Sequence, residues 1–163
     1  MKVLLGEGKS NTMSEYKFYR APAIFAEKHW DIIGTYMMNA LPAFADKDES
    51  VRVSLLEAVV KEIIQVWIVI PTAPARLGDI AAIFTTYIAE DVITGEKKLV
   101  VYTVTSNAGN LKPSVYVEGK NKLIAYGKAH GCTKLVTTTE SDIIMEKARH
   151  LGGKIHHLAV WEI

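Results

Sequence analysis

An α/β domain, with a mixed β-sheet flanked by helices on both faces, is predicted by three features of the sequence. Two helical stretches precede a buried strand, a β-rich hairpin follows, and helix and strand then alternate over the remaining residues. Strand-helix-strand order favours parallel, right-handed crossovers in the second half. The 163 residues suit one domain, 1–163, because chains of about 100 to 200 residues usually build one core.

The stretch up to residue 11 carries no assignment. Pro22 is placed to open a helix, and Ile24, Phe25, Trp30, Ile33, Met37 and Met38 recur at helical spacing, predicting a helix over 21–41 that breaks near Gly34 or Pro42. Ser50 reads as the N-cap of a second helix over 51–64, with Val53, Leu56, Val60 and Ile63 or Ile64 as its apolar stripe. Residues 65–70 are β-branched and aromatic, almost wholly apolar, end at Pro71, and predict a buried strand. The runs 80–91 and 99–106 flank a polar connection containing Gly95 and predict a hairpin. Pro113 opens a helix to about residue 130 in which Tyr116, Val117, Leu123, Ile124 and Gly127 share a face, and Gly131 ends it. A strand over 134–139 follows, then a helix over 143–151 capped by Ser141 and stopped by Gly152-Gly153, then a strand over 154–163.

Composition narrows the function classes. Apolar residues make up 49% and charged residues 23%, the usage of a globular chain and not of a disordered one. Lys and Arg number 19 against 18 Asp and Glu, so no strong field draws the chain to nucleic acid or anionic lipid; protein partners or copies of itself are expected instead. Cys132 is the single cysteine, which rules out an intramolecular disulfide and suits a reducing compartment. It follows a helix C-terminus, where the dipole disfavours a thiolate, and reads as a core or near-surface thiol. No apolar run is long enough for a signal peptide or a membrane span, and the cytoplasm is the expected location. No metal site is expected: His156 and His157 are adjacent in a strand and point to opposite faces. Trp30, Trp67, Trp161 and the Met37-Met38 pair read as core, and Lys120, Lys122, Lys128 and Lys134 as a solvated helix face.

Leu123-Ile124, Ala129-His130-Gly131-Cys132, the run Lys134-Leu135-Val136-Thr137-Thr138-Thr139 and the helix ending at Gly152 are similar to the third helix, fifth strand and fourth helix of the GNAT family of acyl-CoA-dependent N-acetyltransferases. The order of elements resembles the GNAT fold along most of the chain. In that family an R-G-x-G-x-G/A loop lets backbone N–H groups at a helix start cradle the cofactor pyrophosphate. Here the corresponding residues are Leu111-Lys112-Pro113-Ser114-Val115-Tyr116, without a glycine and with a proline that has no N–H to donate. The resemblance implies a reduced cofactor site at Thr105, Asn107, Gly109, Lys112 and Ser114. It also places Ala148 where the family often has a tyrosine that protonates the leaving thiolate, and Ser141 where it has an asparagine. One strand is expected beyond Gly153, where the family commonly has two.

The degraded loop makes a non-catalytic binding or structural component the first functional expectation. Tailed phages carry divergent proteins of this type, some inside the virion, and the resemblance extends the expected location to a virion after assembly. The alternative is an active acyl-CoA-dependent N-acetyltransferase moving an acetyl group to an amine, with Lys112 and Ser114 holding phosphate. Whether the chain is an enzyme stays open between them, and acetyl-CoA and no cofactor are equal expectations. In the enzyme reading Glu90 or Asp91 would serve as base; otherwise both are solvated turn carboxylates.

Overall fold

The computed structural model describes residues 15–42, 45–72, 77–106, 111–139 and 142–156. In chain order they form β1 (Tyr16–Ala21), α1 (Ala23–Lys28), α2 (Trp30–Ala40), α3 (Glu49–Val60), β2 (Ile64–Pro71), β3 (Ala82–Glu90), β4 (Lys97–Ser106), α4 (Pro113–Ala129), β5 (Cys132–Thr137) and α5 (Asp142–His150). The strands make one five-stranded sheet in the order β1-β2-β3-β4-β5. Neighbours are antiparallel from β1 to β4, and β4 and β5 are parallel and joined by α4, as predicted.

β2 shows how one sheet serves two cores. Val66 and Ile68 point to the face covered by α1, α2 and α3, where they meet Ile33, Met37 and Val59. Trp67 and Val69 point to the face covered by α4, where they meet Phe18, Leu99, Val115 and Leu123. Burial on both faces explains why the strand is a continuous apolar run and not an alternating one. Its polar members are matched: Trp67 Nε1 donates to Thr86 Oγ1 (2.9 Å), which donates to Gln65 Oε1 (3.0 Å), and Gln65 Nε2 donates to the Glu62 carbonyl (2.8 Å). The chain turns from α4 into β5 at Gly131, whose φ of +77° is a left-handed conformation that glycine adopts without strain.

Several elements differ from expectation. The strand β1 was unforeseen; it pairs with β2 along its whole length and buries Phe18 and Ala21, which is what decides its conformation. The helix expected over 21–41 is two helices, broken at His29 and not at Gly34, which lies inside α2. The N-cap of α3 is Asp48, whose Oδ1 accepts from the Val51 N–H (3.0 Å), and Ser50 instead donates its hydroxyl to that carboxylate (2.6 Å). Its buried stripe is Leu55 and Val59, while Val53, Val60 and Ile63 are exposed. On α4 the buried face is Val115, Gly119, Leu123 and Gly127, and Val117 points to solvent. Both helices carry two overlapping sets of i, i+4 positions, and only packing selects between them. β5 begins at Cys132, two residues earlier than expected. Lys154, Ile155 and His156 are not in a strand; Ser141 and the rest of the strand expected over 154–163, with His157 and Trp161, lie outside the described residues.

Candidate functional site

Two parallel strands part beside the start of α4. β4 pairs with β3 along its whole length but with β5 only over Lys97–Val101, so its last five residues run on without that neighbour. At the same place Thr85 pairs with Thr103 and Thr86 with Val101, leaving Tyr102 as an extra residue in β4. A bulge of this kind bends and twists its strand. It is pinned by a buried threonine pair: the Thr85 and Thr103 hydroxyls lie 2.6 Å apart, and the Thr103 N–H donates to Thr85 Oγ1 (3.1 Å). The bulge also reverses which residues face α4. Leu99 and Val101 belong to that core, whereas Thr105 is turned toward α2, where its hydroxyl donates to the Tyr36 carbonyl (3.0 Å).

A cavity of about 480 Å³, partly open to solvent, lies between this part of the sheet and the pair α4 and α5. Phe18, Phe84, Leu99 and Val101 line the sheet side, Gly119, Leu123 and Gly127 the α4 side, and Ile144 and Ala148 the α5 side. The glycines matter for the close approach of α4: a Cβ on Gly119 would stand 3.0 Å from the Phe18 ring. The helix α5 has no fully buried residue and is tied to α4 by contacts at the cavity edge. Lys120 Nζ donates to the Leu151 carbonyl (3.1 Å), and Lys147 Nζ stands 5.7 Å from the centre of the Tyr116 ring. Lys128 and Lys134 line the cavity as well, so the lysines read as a solvated helix face are in part its rim. Lys134 is ion-paired to Glu96 (2.8 Å), and Lys122 donates to the Phe18 carbonyl and pairs with Glu118.

The five residues expected to hold a cofactor do not all gather at this cavity. Thr105 faces the opposite side of the sheet, as above. Asn107 and Gly109 lie outside the described residues. Lys112 immediately precedes α4 and pairs with Glu15 (2.7 Å), both side chains being largely exposed. Ser114 is exposed in the first turn of α4. At that helix start Pro113 offers no donor, the Val115 N–H is directed to the Lys112 carbonyl (3.0 Å), and the Val115 side chain is buried beneath it. Tyr116 borders the cavity, and burial raises the pKa of its hydroxyl, which keeps it protonated.

Other candidate groups are engaged in structure. Asp91 Oδ1 accepts from the Ile93 and Thr94 N–H groups (3.0 and 2.8 Å) and from the Thr94 hydroxyl (3.0 Å), and these bonds, the Thr94 N–H foremost, hold its pKa below the usual carboxylate range. Glu90 pairs with Lys97 (3.7 Å). The pair is therefore turn scaffolding. Cys132 lies at the far end of the cavity, and burial pushes its thiol pKa up against the weaker opposing pull of Lys97. Among the described residues no cluster of His, Cys, Asp and Glu is arranged to hold a metal, and no helix is long and apolar enough to cross a membrane.

No protein-family model matches the chain, and no curated protein does. Solved structures match along nearly its whole length. The aminoglycoside N-acetyltransferase AAC(6')-Iy in complex with CoA is 11% identical, with a TM-score of 0.67 over 94% of this chain and 97% of that one. Glucosamine-6-phosphate N-acetyltransferase from Arabidopsis thaliana is 13% identical, with a TM-score of 0.61 over 91% of this chain and 97% of that one. A predicted acetyltransferase from Clostridium acetobutylicum, solved with acetyl-CoA, is 10% identical, with a TM-score of 0.61 over 91% of this chain and 96% of that one. The fold of this chain is that of the GNAT acetyltransferases.

Proposed function

We propose that this chain is a binding or structural component of GNAT fold that does not transfer acetyl groups. The observation that carries this reading is the cavity lining, in which the described residues include no carboxylate and no histidine. Acetyl transfer to an amine needs a group that takes a proton from the ammonium near neutral pH. Tyr116 and Cys132, whose pKa values are raised by burial, are poorly suited to that work. Ala148 brings no hydroxyl to a leaving thiolate. Such a component would act through protein partners or further copies of itself, in the cytoplasm or within a phage virion.

The parting of β4 and β5 beside α4 favours a second reading, an acyl-CoA-dependent N-acetyltransferase, because it leaves room for a thioester arm. Several neighbours of this fold were solved with CoA or acetyl-CoA. Against it stands the helix start: a pyrophosphate there must do without the Pro113 donor and must compete with Glu15 for Lys112. Losing two charge-assisted hydrogen bonds, each worth about 1.5–3 kcal/mol, weakens binding by about two to four orders of magnitude. Calorimetry with acetyl-CoA separates the readings. The expected result is no binding tighter than about 1 mM. A micromolar Kd that Lys112→Ala abolishes, with turnover on an amine acceptor, would put the transferase first.

A further inference from the structure

We propose that the cavity between α4, α5 and the β4–β5 edge binds an anionic amphiphile, a free unbranched alkyl carboxylate, with its head held by Lys120 and Lys147 and its chain lying along α4. This rests on the reading of the chain as a binding component and names the class of ligand. Three observations carry it. The interior of the cavity is apolar, built from Phe18, Leu99, Val101 and Leu123. Four lysines line it, and no carboxylate among the described residues does, so its charge complements an anion and repels a cation. Lys120, Lys128 and Lys134 come from α4 and β5, and Lys147 from α5, so the charge is drawn from three elements that converge.

The head and tail ends can be told apart. Lys120 reaches the Leu151 carbonyl, Lys147 lies over the Tyr116 ring, and Tyr116 and Lys120 are one turn apart on α4. Lys134 is already neutralised by Glu96, which leaves the Tyr116 end as the better anion site. Burial keeps the Tyr116 hydroxyl protonated and able to donate to a carboxylate. From there the lining runs along α4 to Gly127 and Cys132, three turns or about 16 Å away. Gly119 and Gly127 let α4 lie close against Phe18, Leu99 and Cys132, and Leu123 and Ile124 continue the apolar lining beside them.

Calorimetry with dodecanoate, kept below its micelle threshold, tests the proposal on the intact chain. Micromolar binding is expected, with dodecyltrimethylammonium and dodecanol each at least about tenfold weaker. The Lys120→Ala, Lys147→Ala double variant should weaken dodecanoate about tenfold or more and leave dodecanol unchanged. Ala148→Trp, which fills the α5 side, should abolish binding, and its circular dichroism and melting curve confirm that it is folded; Ile144→Trp serves in its place if it is not. No dodecanoate binding up to millimolar, equal binding of the cationic amphiphile, or indifference to both cavity-filling variants would overturn the proposal. Tighter binding of dodecanoyl-CoA than of dodecanoate would overturn the free carboxylate in favour of a thioester site. The acetyl-CoA titration reads the functional proposal separately, since dodecanoate failure with no acetyl-CoA binding sinks this inference alone.

Discussion

On the α1–α3 face of the sheet Ile33, Met37, Val59 and Ile68 are each 2% exposed or less, whereas on the other face α4 meets the sheet through two glycines and leaves about 480 Å³ beside it. The strands are shared, and β2 sends alternate residues to each side. The difference lies in what covers them. Three helices interlock over the first face, while the second has one well-packed helix and α5, which buries no residue fully. Close packing supplies stability and cannot admit a ligand, and the hollow of about 420 Å³ on the first face, beside α3 at Leu55, Ile64, Tyr87 and Tyr102, is more open to solvent, so the more enclosed binding volume lies on the second face.

The division predicts unequal costs of truncation. Ile68→Ala, at a position with no exposure, should cost about 2–5 kcal/mol with no change in ligand binding. Leu123→Ala should cost toward the lower end, about 2 kcal/mol, because Leu123 already borders open volume and less contact is lost. Urea denaturation reads both. A Leu123→Ala cost larger than that of Ile68→Ala would remove the contrast, and one within about 0.5 kcal/mol of the parent would mean that α4 presents another face.

The two glycines of α4 sharpen the same point with a smaller effect. A methyl on Gly119 would meet the Phe18 ring at 3.0 Å, and Phe18, stacked on Trp67 and edge-on to Phe84, can give way only by losing those contacts toward the cavity it borders. Overpacking of about 1–3 kcal/mol should outweigh the gain of about 1 kcal/mol in helix propensity, so Gly119→Ala should be net destabilising by about 1 kcal/mol. At Gly127 the nearest atoms are 3.4 Å away, an ordinary contact, and alanine should be neutral or stabilising by up to about 1 kcal/mol. Thermal unfolding of the two variants should therefore move in opposite directions; a shared direction would show that α4 lies equally close to the sheet at both ends.

What the sequence made legible follows from these contacts. The β2 run, the hairpin and the parallel β4–β5 crossover were readable because β-branched runs, a turn with Gly95 and strand-helix-strand order each signal locally. The strand β1 was not, because Tyr-Lys-Phe-Tyr-Arg-Ala becomes a strand only by pairing with β2. The contact face of α4 was misjudged because Gly119 contributes by having no side chain, which an apolar stripe does not count. Thr105 was named with the cofactor residues on the family resemblance; it lies within β4, where the bulge at Tyr102 turns it to α2, and strand periodicity contains no sign of a bulge. The cavity itself depends on how α5 leans on α4 through Lys120 and Lys147, a relation between distant residues that no local pattern records.

The smallest effect expected is a difference between the faces in acid. Asp48 caps α3 on the packed face, and its carboxyl is held below the usual range first by the Ser50 hydroxyl and then by the Val51 N–H. Glu96 ties the start of β5 to β4 on the open face, and its carboxyl is lowered first by Lys134 and then by the Thr133 hydroxyl. A carboxylate with a depressed folded pKa binds fewer protons folded than unfolded. Its contribution is present at neutral pH and is lost as pH falls below about 4 and through the lowered folded value. Both groups are solvent-accessible, so each loss should be modest and local. Hydrogen exchange between pH 6 and pH 3 resolves it by element. Glu96→Gln should reduce protection of the Cys132–Thr137 amides already at pH 6 and leave α3 unchanged, and Asp48→Asn should do the reverse. Loss of protection in both elements from either variant would mean that the two faces open as one unit, and the division of labour between them would fail.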